Sequence, residues 1–171
     1  MDIETEMRRR GEFPVDQPLE ALKTDHGFVR QLFEQYFQSQ DASEKKGLGS
    51  HLLALLEMHT SLEERVFYPR VREVDSSLID HCEQEHGEAR QLIESLKLME
   101  EGDPHTDDLY RRLADSVLKH VETEEQQLFP KVEQAGLDMS AIGQEMQAVE
   151  IQMIAARNQR PVAPGVPGVR L

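Results

Sequence analysis

The sequence has one cysteine, few basic residues and no long apolar run. Cys82 stands alone among 171 residues, which excludes an intramolecular disulfide framework. Lys and Arg total 19 against 33 Asp and Glu, and the net charge of −14 argues against nucleic-acid binding, which needs clustered cations. No apolar stretch approaches the roughly 20 residues of a membrane span. Residues 1–14 lack the apolar centre of a signal peptide. We therefore expect a cytoplasmic protein that engages neither nucleic acid nor a membrane.

The alternation typical of β-strands is absent as well, and apolar residues recur at intervals of three and four. The first such seam contains Leu19, Leu22, His26, Val29, Phe33 and Tyr36. Four segments of this kind, joined by short turns, predict an all-α, up-down-up-down four-helix bundle over residues 16–136. We expect Asp16 to cap its first helix and Pro69 to kink its second.

The flanks differ from the bundle. Residues 1–15 are polar and predict a flexible N-terminal segment, and residues 159–171, rich in Pro and Gly, predict a disordered tail. Residues 137–158 predict an additional amphipathic helix, which either packs across the bundle or forms a homodimer interface.

Two stretches of the sequence occur twice. "DHGFVRQL" begins at Asp25 and "EHGEARQL" at Glu85; "HTSLEERVFYP" begins at His59 and "HVETEEQQLFP" at His120. The duplication predicts two helix pairs of similar design, related by an approximate twofold axis.

The repeat places polar groups on the apolar seams. Four imidazoles and two carboxylates are predicted to point into the bundle: His26, His59, Glu63, His86, His120 and Glu124. An unpaired buried carboxylate costs several kcal/mol, whereas a whole domain is stable by only about 5–15 kcal/mol. No Lys lies on the seams at this level to compensate, and a pair of metal ions would do so. Residues four apart lie on one helix face, and imidazole with carboxylate suits iron, manganese or zinc. The alternative is a polar core network of His–Glu hydrogen bonds.

These residues resemble the hemerythrin-like, HHE cation-binding family, over about residues 19–133. The resemblance implies a non-haem di-iron centre with an oxo or hydroxo bridge, in which Glu63 and Glu124 both bridge; zinc or manganese could replace iron in a purified sample. How the histidines divide between the two ions stays open. Oxygen-carrying members have a second His on helix three, where this chain has Cys82 or Arg90, and they end with Asp five residues after the last His. The set is more similar to iron-centre repair proteins and sensors of the family.

By that resemblance we expect the chain to bind, sense or react with O2, peroxide or NO. Iron donation to damaged iron centres, or a peroxidase- or catalase-like activity, are the alternatives.

Several residues near the six candidate ligands allow more than one interpretation. Cys82 is favoured as a space-filling core residue over a ligand. His81 and Glu85 form a third His-x-x-x-Glu, interpreted as an edge pair. Arg30 and Arg90 either pair with Glu64 or Glu125 and support the ligand helices, or form surface salt bridges. The aromatic residues Phe67, Tyr68 and Phe129 either close one end of the site or are ordinary packing at the end of the core. Tyr36, Tyr68 and Tyr110 are candidate additional oxygen ligands.

Overall fold

The computed structural model describes residues 13–158, and this part of the chain is helical without a strand. Residues 1–12 and 159–171, on which the predictions of a flexible segment and a disordered tail fall, lie outside it.

The described chain forms five helices. Their bounds are α1, Pro18–Gln38; α2, Ala42–Leu62 continued by a π-helical turn Glu63–Phe67 and by Tyr68–Val71; α3, Ser76–Lys97; α4, Thr106–Thr123 continued by a π-helical turn Glu124–Leu128 and by Phe129–Gln134; α5, Met139–Asn158. Helices α1 and α2 form one antiparallel pair and α3 and α4 the other, with α5 packed across them, so the predicted four-helix bundle with an extra helix is confirmed.

Short acidic side chains cap the first turns of α2 and α3. Asp41 accepts a hydrogen bond from the Glu44 amide at the start of α2, and Asp75 accepts one from the Leu78 amide at the start of α3. The predicted cap of α1 is wrong, because the N-cap position belongs to Gln17. The Asp16 carboxylate instead accepts a hydrogen bond from the Ser140 hydroxyl at 2.5 Å and so ties the chain to α5.

A π-helical turn lies directly before Pro69, the position at which the sequence predicts a kink. The Tyr68 amide donates to the Glu63 carbonyl five residues earlier, and the Phe129 amide donates to the Glu124 carbonyl in the same way. Because proline has no N–H and its ring crowds the carbonyl four residues before it, one wide turn ahead of Pro69 lets the helix continue. Both glutamates therefore begin a π turn at equivalent places in the two halves.

Two apolar layers lie on either side of the polar seam positions. One layer contains Leu22, Leu62 and Phe129 and is covered by Ile142 and Met146 of α5. The other contains aliphatic and aromatic residues from α1 to α4, among them Val29, Phe33, Tyr36, Leu52, Leu56, Ile93, Leu113 and Val117. The polar residues of the repeat consequently sit in the middle of the bundle.

The chain just before α1 packs against α5. Phe13 is buried in the first apolar layer, and a Cβ on Gly143 would lie only 1.9 Å from the Val15 carbonyl oxygen. Gly143 is thus required for this close approach. The expectation of a loosely ordered segment extending to residue 15 is wrong for residues 13–15, because they complete the contact between α1 and α5.

No helix within residues 13–158 combines the length and apolar character needed to cross a membrane.

Candidate metal site

The six seam residues that the sequence predicts as ligands come together in the centre of the bundle. All of them are buried, and Glu63 and Glu124 have no accessible surface. His26 comes from α1, His59 and Glu63 from α2, His86 from α3, and His120 and Glu124 from α4.

The first group joins α1 and α2 with one carboxylate of α4. The Nε2 atoms of His26 and His59 are 3.2 Å apart. His59 Nε2 lies 3.2 Å from Glu63 Oε1, and His26 Nε2 lies 3.2 Å from Glu124 Oε2. Nitrogen ligands about 2.1 Å from one ion lie roughly 3.0–3.4 Å apart, so these spacings fit donors of a single metal.

The second group repeats the first in α3 and α4. The Nε2 atoms of His86 and His120 are 3.0 Å apart, and His86 Nε2 lies 3.2 Å from Glu63 Oε2. Glu124 Oε2 is 3.5 Å from His120 Nε2. The histidines thus divide by helix pair, and Glu63 offers one oxygen to each group.

The carboxylates at the centre are suited to a cation. Within the described residues, neither oxygen of Glu63 nor Glu124 Oε2 makes a hydrogen bond, although imidazole nitrogens lie 3.2 Å away. Ring N–H groups do not point at these oxygens, and buried carboxylate oxygens without partners cost free energy. Imidazole and carboxylate donors around two adjacent positions fit a pair of iron, manganese or zinc ions.

Each of the four histidines has a carboxylate on its other nitrogen. Asp25 lies 3.1 Å from His59 Nδ1 and Glu85 lies 3.1 Å from His120 Nδ1, each joining the two helices of one pair. Glu125 and Glu64 lie 2.9 and 3.0 Å from the Nδ1 atoms of His26 and His86, each joining helices of different pairs. Because an ionised carboxylate only accepts, Nδ1 carries the proton and Nε2 faces the centre.

Two arginines hold the outer carboxylates. Arg30 donates to Glu125 at 3.0 Å, and Arg90 donates to Glu64 at 2.6 Å. Of the two readings of these arginines, the structure shows the pairing with Glu125 and Glu64. The duplicated Arg of the sequence therefore completes an arginine–carboxylate–histidine chain in each half.

The charges in the centre shift the pKa values of its members. Burial alone would lower the pKa of His59, but the Glu63 charge and the hydrogen bond with Asp25 raise it well above its ordinary value. Burial is likewise outweighed at His86, where the adjacent Glu63 carboxylate and the hydrogen bond with Glu64 raise the pKa to about 9. Burial would raise the pKa of Glu63, yet the adjacent His59 and His86 hold it well below its usual range. A metal cation would therefore compete with protons for the imidazole nitrogens of the centre.

Aromatic residues form a wall that closes one end of the site. The Phe129 ring stacks on His26 with a centroid distance of 5.9 Å, and Phe67 packs edge-on against Phe129. The Tyr68 hydroxyl donates to Glu124 Oε1 at 2.7 Å and lies 3.3 Å from His86 Nε2. Of the three candidate tyrosines, only Tyr68 reaches the centre, because Tyr36 and Tyr110 belong to the opposite apolar layer.

Cys82 and His81 flank the second group. Cys82 is fully buried in the apolar layer, and burial together with the charges of Glu124, Glu63 and Glu85 raises the pKa of its thiol. Its sulfur nevertheless lies within 4.8 Å of ligand atoms of Glu85 and His120. His81 is about half exposed and contacts Glu85 at 3.2 Å, which agrees with an edge pair.

Sequence reasoning missed the roles of Asp25 and Glu85. The sequence pattern indicates an edge pair for Glu85 and no role for Asp25, whereas both are buried and contact the histidines of the neighbouring helix. A signal was present, because an acid directly precedes the seam histidine in both copies of the repeat, "DHG" and "EHG".

One relative of known sequence is considerably longer than this chain. A protein named DNA nickase from Nostoc sp. (strain PCC 7120 / SAG 25.82 / UTEX 2576) is 32% identical over 114 residues, which are 66% of this chain but only 32% of that protein. The chain therefore matches about a third of that relative's length.

The fold also occurs in a solved structure. A hemerythrin HHE cation binding domain-containing protein from Mycobacterium kansasii superposes with a TM-score of 0.72, at 20% identity over 86% of this chain and 93% of that one. The family described as the hemerythrin HHE cation binding domain matches residues 17–147, which contain all six seam residues. This chain belongs to the hemerythrin HHE cation-binding family.

Proposed function

We propose that the chain holds two iron ions between its helix pairs and there binds, senses or reacts with O2, peroxide or NO. His26, His59 and Glu124 with Glu63 would hold one ion, and His86 and His120 with Glu63 the other. The observation that carries this proposal is Glu63, a fully buried carboxylate whose two oxygens face histidines of different helix pairs without a hydrogen bond. A bridging carboxylate has this arrangement, whereas a polar core network would satisfy its oxygens.

The residues of the chain divide the work around the ions. Iron in such a setting supplies redox chemistry with diatomic molecules and peroxides. Asp25, Glu64, Glu85 and Glu125 hold the imidazoles in the tautomer that leaves Nε2 available. Phe67 and Phe129 keep water from one end of the site. Tyr68 donates a hydrogen bond to Glu124 and restricts that carboxylate to one free oxygen.

Metal analysis of the purified full-length protein tests the proposal. We expect two irons per chain and the near-ultraviolet absorption bands of an oxo- or hydroxo-bridged pair. His59→Ala should lose most of the iron, because it removes one nitrogen and leaves Glu63 with a single histidine partner. His105→Ala is the matched control, since His105 is exposed in the turn before α4. Iron content that is equal in both variants would refute the ligand assignment.

Three behaviours of the iron-loaded protein separate the roles. A reversible spectroscopic change with O2 or NO would support sensing. Turnover of peroxide or NO would support an enzyme. Rapid loss of iron to a weak chelator would support iron donation to damaged centres, and a chelator-resistant centre would exclude it.

We do not extend DNA nicking to this chain. That name belongs to a protein of which the matched region covers only 32%, and the net charge of −14 here opposes binding to phosphates.

A further inference from the structure

A cavity of about 210 Å³ lies beside the four histidines, on the side opposite the aromatic wall. Its floor is formed by the imidazole rings and its walls by apolar residues of all four bundle helices. Those walls are Val29, Leu56, Ala89, Ile93, Val117 and Val121. An apolar cavity of about 150 Å³ is large enough to bind benzene, so this one exceeds the needs of a diatomic molecule.

The cavity opens between α2 and α3. Its lining residues from α1 and α4 are all buried, whereas α2 and α3 also contribute solvent-accessible ones: Glu57, Thr60, Ser61, Glu64, Arg90 and Glu94. Two cross-helix ion pairs, Arg90 with Glu64 and Lys97 with Glu57, span this opening. A ligand from solvent would therefore enter between these two helices.

The internal repeat explains why the opening is on this side. The positions equivalent to Ala89 and Ile93 of α3 are Val29 and Phe33 of α1, and those equivalent to Thr60 and Ser61 of α2 are Val121 and Glu122 of α4. The side chains at the α2–α3 interface are thus smaller than their equivalents at all four positions. The repeat preserves the histidines and carboxylates, whereas the interface between α2 and α3 has more space than the equivalent interface between α4 and α1.

The chemistry of the lining limits what can bind. The described cations at the opening, Arg90 and Lys97, are already paired with carboxylates, so an anion would meet no free positive charge. The walls favour an alkyl group, and Glu85, which also lines the cavity, has a buried Oε1 that makes no hydrogen bond within residues 13–158 and favours one O–H donor. We infer that the cavity binds a neutral alkyl alcohol or alkyl hydroperoxide of about benzene size, with its alkyl group on Ala89 and Ile93 and its O–H directed at the Glu85 carboxylate beside the histidines.

This inference extends the proposed function by naming an organic peroxide as the peroxide that fits. It rests on that function for reactivity but not for binding, so binding can be tested without a metal.

Methyl NMR with tert-butanol as the probe tests the inference. In full-length protein, both metal-free and zinc-loaded, we expect saturable shifts of the Ala89, Ile93 and Val29 methyl signals. The anion pivalate, which carries the same tert-butyl group and is tested on the metal-free protein, should bind at these methyls much more weakly. If the protein binds no metal but the metal-free protein still binds tert-butanol, the proposed function is refuted and this inference stands.

Variants of Ala89 probe the cavity directly. Ala89→Leu fills it and should abolish saturation, and Ala89→Val, which copies the equivalent Val29, should weaken binding severalfold and serves if the larger variant does not fold. Ala114→Val is the matched control, because Ala114 is buried in the same apolar layer without lining the cavity. Shifts that are absent, that spread over surface methyls such as Leu98, that persist in Ala89→Leu, or that appear with pivalate at lower concentration than with tert-butanol would overturn the inference.

Discussion

The two halves of the repeat share their ligands but differ in what surrounds them. Glu63 places one oxygen on each histidine group, whereas Glu124 faces both groups with Oε2 because Tyr68 holds its Oε1. The position equivalent to Tyr68 is Phe129, which has no hydroxyl to donate. The position equivalent to Cys82 is Leu22. Both copies of the repeat thus keep the histidines and glutamates of the candidate metal site, and the residues beside these side chains differ between the copies.

This comparison assigns unequal weight to the two carboxylates. Glu63 places a separate oxygen 3.2 Å from a histidine of each group, whereas Glu124 has one free oxygen, which lies 3.2 Å from His26 and 3.5 Å from His120. Tyr68 and Cys82 both lie near the group formed by His86 and His120, whereas the equivalent residues of the other half are apolar. Four measurements can test how far the halves are equivalent.

Removing Glu63 should have the largest effect. We expect Glu63→Ala to lose nearly all bound metal, because both groups lose an oxygen, whereas Glu124→Ala keeps a substantial share. Metal content per chain, measured on proteins purified in parallel, checks this. Equal losses in the two variants would show that the carboxylates are interchangeable.

Removing the metal should lower stability of both halves together. A metal present at about 1,000 times its dissociation constant stabilises by about 4 kcal/mol, which corresponds to a fall in Tm of roughly 8–16 °C for a chain of this size on stripping. Thermal unfolding followed by circular dichroism, with and without chelator, measures the change. The chelator should not change the Tm of the Glu63→Ala protein. A Tm of the parent protein that is the same with and without chelator would contradict a structural role of the metal.

The outer carboxylates Asp25 and Glu85 should be equivalent. Each holds the Nδ1 proton of a histidine on the neighbouring helix, so Asp25→Ala and Glu85→Ala should each weaken metal affinity by about 10- to 100-fold. Competition with a chelator of known affinity provides the measurement. Glu88→Ala, at an exposed site on α3, is the control and should bind as the parent does.

The tyrosine that separates the halves should have the smallest effect. Tyr68→Phe makes both halves carry phenylalanine and removes the hydrogen bond to Glu124, at a cost of about 1 kcal/mol in the free energy of unfolding. Urea denaturation of the metal-free protein checks this value. Unchanged stability would mean that Glu124 finds another partner when the phenol is gone.

Much of this structure was predictable from local patterns. The 3-4 spacing of apolar residues identified the helices. Asp75 caps α3 in the way expected of a short acid before a helical pattern, because its carboxylate satisfies a free amide. Asp16 had the same appearance and was assigned wrongly, since its carboxylate pairs with Ser140, which is distant in sequence. The π turns were missed because hydropathy patterns do not distinguish a widened turn from a kink before Pro69.

The side-chain directions of the six ligand-type residues followed from the sequence alone, because helical periodicity places i and i+4 on one face and the repeat places the same residues in both halves. Which histidines share a group could be decided only by the tertiary structure, since His26 meets His59 and His86 meets His120 through the packing of particular helices against each other. The cavity beside Ala89 was decided at the same level, because its volume depends on how residues of four helices fill the space between them rather than on any one segment.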